Sequence, residues 1–171
     1  NGGKLHNRLY SLAMKIVKSD TISVRGERKF ELGDMTLMRG FEFSERARLE
    51  NILKVKPSIQ EDEASLTVVI PQLVPSKYLI FSEGSKFYRL SLIRAAVDFV
   101  QQTYYTEITA TEPLPIDNLP APAVSLSLPK PGVVGEKYFY ALAVEFFLDV
   151  NGSQYDMNDL SQNPAVILAT S

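Results

Sequence analysis

The spacing of hydrophobic and polar positions changes along the chain, and the change divides it. Over residues 5–18 (LHNRLYSLAMKIVK), Leu5, Leu9, Leu12, Ala13 and Ile16 recur at about 100° per residue and share one helical face. Lys4, Arg8, Lys15 and Lys18 share the other, a solvated stripe. Ser19, Asp20 and the β-branched Thr21-Ile22 should stop this helix. Residues 21–43 keep neither period. They read as an irregular connector with one helical turn over 34–38, capped by Asp34, with Phe41 and Phe43 plugging into the domain beyond.

From about residue 46 the period becomes two. The segment 47–55 (ARLENILKV) fits either period, since Leu49, Ile52 and Leu53 suit a helix while Ala47, Leu49, Asn51, Leu53 and Val55 suit a strand. A strand is expected, because Pro57 and the acidic turn Glu61-Asp62-Glu63 precede a clear strand over 64–71, with Leu66, Val68 and Ile70 inward. YLIF (78–81) is a short apolar run ended by Ser-Glu-Gly-Ser. Residues 87–100 are apolar on both alternate faces; a helix over 92–101 fits as well, but the density of Tyr, Phe, Val and Ile favours a central strand. Residues 104–112 (YYTEITATE) predict an outer strand.

PLPIDNLPAPA (113–123) predicts a loop that crosses between two sheets, because alternation resumes at once with Val124, Leu126 and Leu128 inward. The strongest strand signal runs from Tyr138 to Val150, where every second residue is Tyr, Tyr, Leu, Val, Phe, Leu or Val. Asn151-Gly152 supplies the positive φ angles of a type I′ turn, 154–157 returns as a hairpin, and AVILAT (165–170) forms a last strand. Loops after residue 60 are too short for helical crossovers, so the sheets should be antiparallel. The expected fold is mainly β: an antiparallel β-sandwich of immunoglobulin or fibronectin-like type over 44–171, preceded by an N-terminal helical arm and connector over 1–43.

Composition adds bounds. With 171 residues, 45% hydrophobic and 22% charged, the chain can bury a core without staples. It has no Cys and one His, which excludes disulfides, thiolate chemistry and Cys-based metal sites. That does not fix the compartment; a cytoplasmic location is the working expectation. No apolar run is long enough to span a membrane as a helix. Beginning at Asn1, the sequence is expected to be a piece of a longer chain.

Charge is uneven. Residues 1–56 hold 12 Lys+Arg against 7 Asp+Glu, and residues 57–171 hold 6 against 13. The basic arm could contact an anionic partner through Lys4, Arg8, Lys15, Lys18, Arg25, Arg28 and Lys29, or dock on the acidic remainder. Gly26, Gly33 and Gly40 recur every seven residues, yet neither phosphate-loop pattern is present. His6 is a surface residue with no triad to join. Asp149, Asn151, Asp156, Asn158 and Asp159 crowd the last hairpin but do not match a calcium loop. Glu107, Glu112, Glu145 and Asp98 are the carboxylates available for glycoside chemistry, and Tyr104, Tyr105, Tyr138, Phe139 and Tyr140 the aromatics available for sugar stacking. No catalytic, cofactor or metal residue is assigned.

Several segments in order are familiar: ISVRGERKF with LMRGFEF, LTVVIP with FYRLSLIRAAVDF, and VEFFLDVNGSQYDM with NPAVIL. Together they resemble a family of uncharacterised bacterial proteins with a basic N-terminal half and a β-rich C-terminal half. That family's closing hairpin reads FYQEVNG and then Tyr-Pro-Leu; Leu148, Asp149 and Asp156-Met157 depart from it here. The resemblance implies a longer N-terminal region and carries over no catalytic residue. The function expected first is a non-enzymatic protein-binding or structural module, acting on a partner protein or on itself. A nucleic-acid-associated protein and a carbohydrate-binding or glycan-active protein are the alternatives.

Overall fold

The computed structural model describes residues 2–150, 153–156 and 163–171. Helix α1 (Gly2–Ser19) is succeeded by two 3-10 turns, Phe30–Leu32 and Met35–Met38. Asp34 caps the second, its carboxylate accepting from the Thr36 N–H at 3.0 Å, as its place before the turn predicts. The β region comprises β1 (Ser58–Glu61), β2 (Ser65–Ile70), β3 (Ser85–Asp98), β4 (Thr103–Ala110), β5 (Leu114–Pro115), β6 (Val124–Pro129), β7 (Glu136–Val150), β8 (Ser153–Asp156) and β9 (Ala165–Thr170).

These strands form two antiparallel sheets packed face to face, a β-sandwich. The small sheet has the order β1-β2-β6. In the large sheet β3 and β7 are central; β4 and β5 lie along the far side of β3, and β8 and β9 along the far side of β7. The proline-rich segment carries the chain from β5 in one sheet to β6 in the other, as expected. Between the sheets, Leu66, Val68, Ile70, Leu126 and Leu128 meet Tyr88, Leu90, Leu92, Tyr140, Leu142, Val144 and Phe146. Burying one such side chain stabilises the fold by about 2 kcal/mol. The returning strand of the closing hairpin is present as β8, paired Val150 to Ser153; its Asn151-Gly152 turn lies outside the described residues.

The strand expected over 47–55 is instead a helical turn, α2 (Leu49–Ile52), after which Leu53 makes a single bridge to Leu79. Two local devices select the helix. The Ser44 hydroxyl accepts from the Arg46 and Ala47 N–H groups, and a Glu42 carboxylate oxygen accepts from the Leu49 N–H at 3.1 Å. The helix then sends Leu49, Ile52 and Leu53 together into the core. YLIF likewise extends little as a strand. Pro75 opens a second short helix, α3 (Pro75–Tyr78); Leu79 is buried in the core and Phe81 packs against its margin.

The arm does not float. Ile16 of α1, Met35, Met38 and Phe41 form a second core with Ile167 of β9, joined by Leu5, Leu12, Phe30, Phe99 and Phe139. Phe139 and Ile167 lie on the face of the large sheet turned away from the small one, so the arm makes a partial third layer. Phe41 is buried as expected, whereas Phe43 stays exposed, because Phe41 fills the space under α1 and leaves Phe43 edge-on at its rim, 5.6 Å away. The seven-residue glycine spacing has no single cause. Gly26 and Gly40 take φ of +103° and +80° in turns, while a Cβ on Gly33 would stand 2.1 Å from the Ile16 carbonyl oxygen.

Candidate functional site

The connector also closes one side of the large sheet. Gly40 N–H donates to the Ile167 carbonyl at 2.7 Å, Ile167 N–H to the Phe41 carbonyl at 3.0 Å, and Phe43 N–H to the Ala165 carbonyl at 2.9 Å. These bonds take up the outer edge of β9. The opposite side ends in β4, and among the described residues no backbone group pairs with its outer edge.

The phase of β4 is set by one bond beyond its end. Thr111 N–H donates to the Leu90 carbonyl, so that pair is hydrogen-bonded, and in an antiparallel ladder such pairs recur every second residue. Thr103, Tyr105, Glu107 and Thr109 therefore bond to β3. The N–H and C=O groups of Tyr104, Thr106, Ile108 and Ala110 point outward. The side chains of those same residues lie on the sheet's outer face, with Tyr104 79% and Ile108 60% exposed. Edge strands of this length are ordinarily guarded by Lys, Pro or a bulge. TYYTEITA has no Lys or Pro and its register with β3 is uninterrupted; its one charge, Glu107, faces inward and is neutralised by Arg94.

On the inner face, β4 is locked in place by Arg94 of β3, which is only 2% exposed. Its guanidinium donates to the Pro129 carbonyl at the end of β6 and to Glu107, directly opposite on β4, at 2.6 Å. It lies near the rings of Tyr105 and Tyr138, 5.7 and 5.9 Å from their centroids. Both tyrosines donate to the same Glu136 oxygen, at 3.1 and 2.8 Å. Burial, and then these bonds to a carboxylate, hold both phenols above their ordinary pKa. Sequence reading passes over Arg94. Its signal is a cation on the inward face of β3, in line with Tyr88, Leu90, Leu92 and Ala96.

The residues named for anion contact separate into two groups. Lys4, Lys15, Lys18, Arg25, Arg28 and Lys29 are exposed. Arg8, expected on the same solvated stripe, turns inward. It precedes Leu12 by one helical turn, at the border of the buried face, and lies 5.0 Å over the Phe41 ring. It donates to the Glu42 carbonyl at 2.6 Å and pairs with Glu45 at 3.6 Å. Beside it, Arg8, Lys15, Glu42, Arg48 and Glu50 line a groove of about 760 Å³. Burial raises the Glu42 pKa; the Leu49 N–H and Arg48 act against that rise without cancelling it. Asp20 closes the connector loop from within. It is buried, and its carboxylate accepts from the N–H groups of Ile22, Ser23 and Lys29. Burial would raise its pKa, but the hydrogen bonds from Ser23, Lys29 and Ile22 outweigh it and hold the group well below the usual carboxylate range.

The remaining chemistry is dispersed. Glu107 pairs with Arg94 on the inner face of β4, while Glu145 pairs with Arg89 at 2.9 Å on the outer face of β7. Asp98 accepts from the Val100 and Gln101 N–H groups in a turn, and Glu112 is exposed. Tyr104 and Tyr105 point to opposite faces, Tyr138 and Tyr140 are buried, and Phe139 belongs to the second core, so the five aromatics share no platform. His6 is exposed on α1. Of the hairpin's oxygen ligands, Asn151, Asn158 and Asp159 lie outside the described residues; among the described ones no group of three or more metal-ligating side chains gathers.

No protein-family model, curated protein or solved structure matches the chain.

Proposed function

We propose that the chain is a non-enzymatic protein-binding module, and that the outer edge of β4 accepts an extended strand from a protein partner. The supporting observation is the contrast of edges: the connector occupies the outer edge of β9, while β4 presents a row of outward donors and acceptors that no backbone group among the described residues pairs. Strand addition uses backbone hydrogen bonds for affinity and alternate side chains for selection, and Tyr104 and Ile108 supply the side chains. In this reading the sandwich is immunoglobulin- or fibronectin-like, because its β1-β2-β6 and β4-β3-β7 order matches a Greek key with one strand moved between sheets. It belongs with the bacterial family that its connector and closing hairpin resemble.

The test uses proline. Thr106→Pro removes one outward N–H and leaves the ladder to β3 intact. A peptide of alternating apolar residues, titrated into labelled protein, should shift the amide signals of Tyr104, Thr106 and Ile108, and Thr106→Pro should abolish the shifts of Tyr104 and Ile108. Shifts elsewhere, or shifts that survive the proline, overturn the reading.

A second reading has its own support. Lys4, Lys15 and Lys18 remain exposed together on α1 after Arg8 has turned inward, so a phosphate backbone could engage them. Binding to single- or double-stranded nucleic acid that falls steeply with salt and is lost on Lys15→Glu would favour it; salt-independent or absent binding dismisses it.

A further inference from the structure

The partner of the β4 edge has a definite candidate in the chain itself. Resting on the strand-acceptor reading, we infer that two copies pair β4 to β4 antiparallel, with the twofold axis at Thr106, and so join their large sheets into one.

A twofold axis between identical antiparallel strands must set outward-facing residues against outward-facing residues. Two registers do this over nearly the whole strand. One centres on Glu107 and overlaps Tyr104 through Ala110. It sets Glu107 directly against its own copy, and like charges directly opposite are unfavourable. The other centres on Thr106 and overlaps Thr103 through Thr109. There Thr106 meets Thr106, Tyr104 meets Ile108 and Tyr105 meets Glu107. Aromatic against β-branched and threonine against threonine are favourable cross-strand pairs.

In the Thr106 register the outward groups of Tyr104, Thr106 and Ile108 all find partners across the axis. Glu107 keeps its bond to Arg94, since that contact lies on the β3 side. The Arg94 lock at Pro129 and Glu107 holds β4 extended before any partner arrives, which lowers the ordering cost of association.

The absence of cysteine provides the test. In the full chain, Thr106→Cys places the only thiol of each copy on the axis, in a hydrogen-bonded pair whose Cα separation of about 5.5 Å a disulfide can bridge. Tyr104→Cys places it opposite Ile108, several residues from its counterpart. Under mild oxidation Thr106→Cys should form a covalent dimer at least about tenfold faster than Tyr104→Cys, because only the first pair is held together. The unmodified chain should sediment at twice its mass, and Ile108→Lys at one.

Equal rates at the two positions, or a strictly monomeric wild-type chain, overturn the inference. In the monomeric case, titration with the peptide TYYTEITA separates the two readings. Shifts confined to Tyr104, Thr106 and Ile108 leave strand acceptance standing without self-pairing; no shift removes both.

Discussion

Along β9 the connector supplies the missing hydrogen bonds, with Gly40 and Phe43 donating to Ile167 and Ala165; along β4 nothing among the described residues does. Both strands border the same sheet, yet one edge is closed by the molecule's own chain and the other is left to solvent. The closed edge is tied to the second core through Phe41 and Ile167, so its cover cannot lift without exposing apolar surface. The open edge is held from behind, by Arg94, and incurs no such cost when a strand approaches. Substitutions at the closed edge should therefore lower stability, and those on the outward-facing residues of the open edge should alter association alone.

The largest effects fall on the closed side. Phe41→Ala removes a buried ring and should cost about 3 kcal/mol in denaturant unfolding. It should also loosen Gly40–Phe43 from β9 and create a second open edge, seen as higher-order assembly by light scattering. Gly33→Ala should cost a similar amount, about 3 kcal/mol, because α1 must move away from a new Cβ. Unchanged stability in both would mean that the arm contributes nothing to the fold.

Next comes the lock behind β4. Glu107→Gln leaves the buried Arg94 guanidinium without its carboxylate and should cost about 2 kcal/mol. That is less than for a fully buried pair, because the Glu107 side chain is 47% exposed. Loss of amide protection should concentrate on β4 rather than on β9.

Two carboxylates of the arm and connector respond to acid in opposite senses. The Asp20 pKa is lower in the fold than its ordinary 3.8, so the carboxylate contributes stability above that value and loses it as pH falls below. Asp20→Asn should be less stable than wild type at neutral pH, and the difference should shrink as pH drops below 3.8. Glu42 works in the opposite sense. Its raised pKa means that the fold prefers the protonated acid, so its contribution is favourable in acid and is lost as pH rises through that pKa. Glu42→Gln should gain relative to wild type as pH rises, read from thermal unfolding across pH 4 to 7. The smallest stability change belongs to Ile108→Lys, within about 0.5 kcal/mol of wild type, with association lost.

The strands that line the space between the sheets are legible in the sequence. β2, β3, β6 and β7 alternate because each must present every second residue to the space between sheets, and Leu66, Leu90, Leu126 and Leu142 occupy it. The helix α1 and the Asp34 cap are legible for the same local reason. The features that escape sequence reading depend on contacts distant in the chain. Leu49, Ile52 and Leu53 fit two periods, and the choice is made by the Ser44 hydroxyl together with the Glu42 side chain, which reaches an N–H seven residues on. β1 is exposed along its whole length, with Ile59 its one apolar residue, and leaves no alternating pattern. The alternation of β4 marks it as an outer strand. Which of its backbone groups face outward, and that Arg94 holds it from within, emerge only with the register to β3.

Amide hydrogen exchange as a function of protein concentration tests the contrast of edges most directly. The account predicts that in dilute solution Tyr104, Thr106 and Ile108 exchange rapidly while Tyr105, Glu107, Thr109 and Ile167 are slow, and that the first three slow as concentration rises. Slow exchange of Tyr104, Thr106 and Ile108 in the dilute protein, or exchange indifferent to concentration, would contradict it.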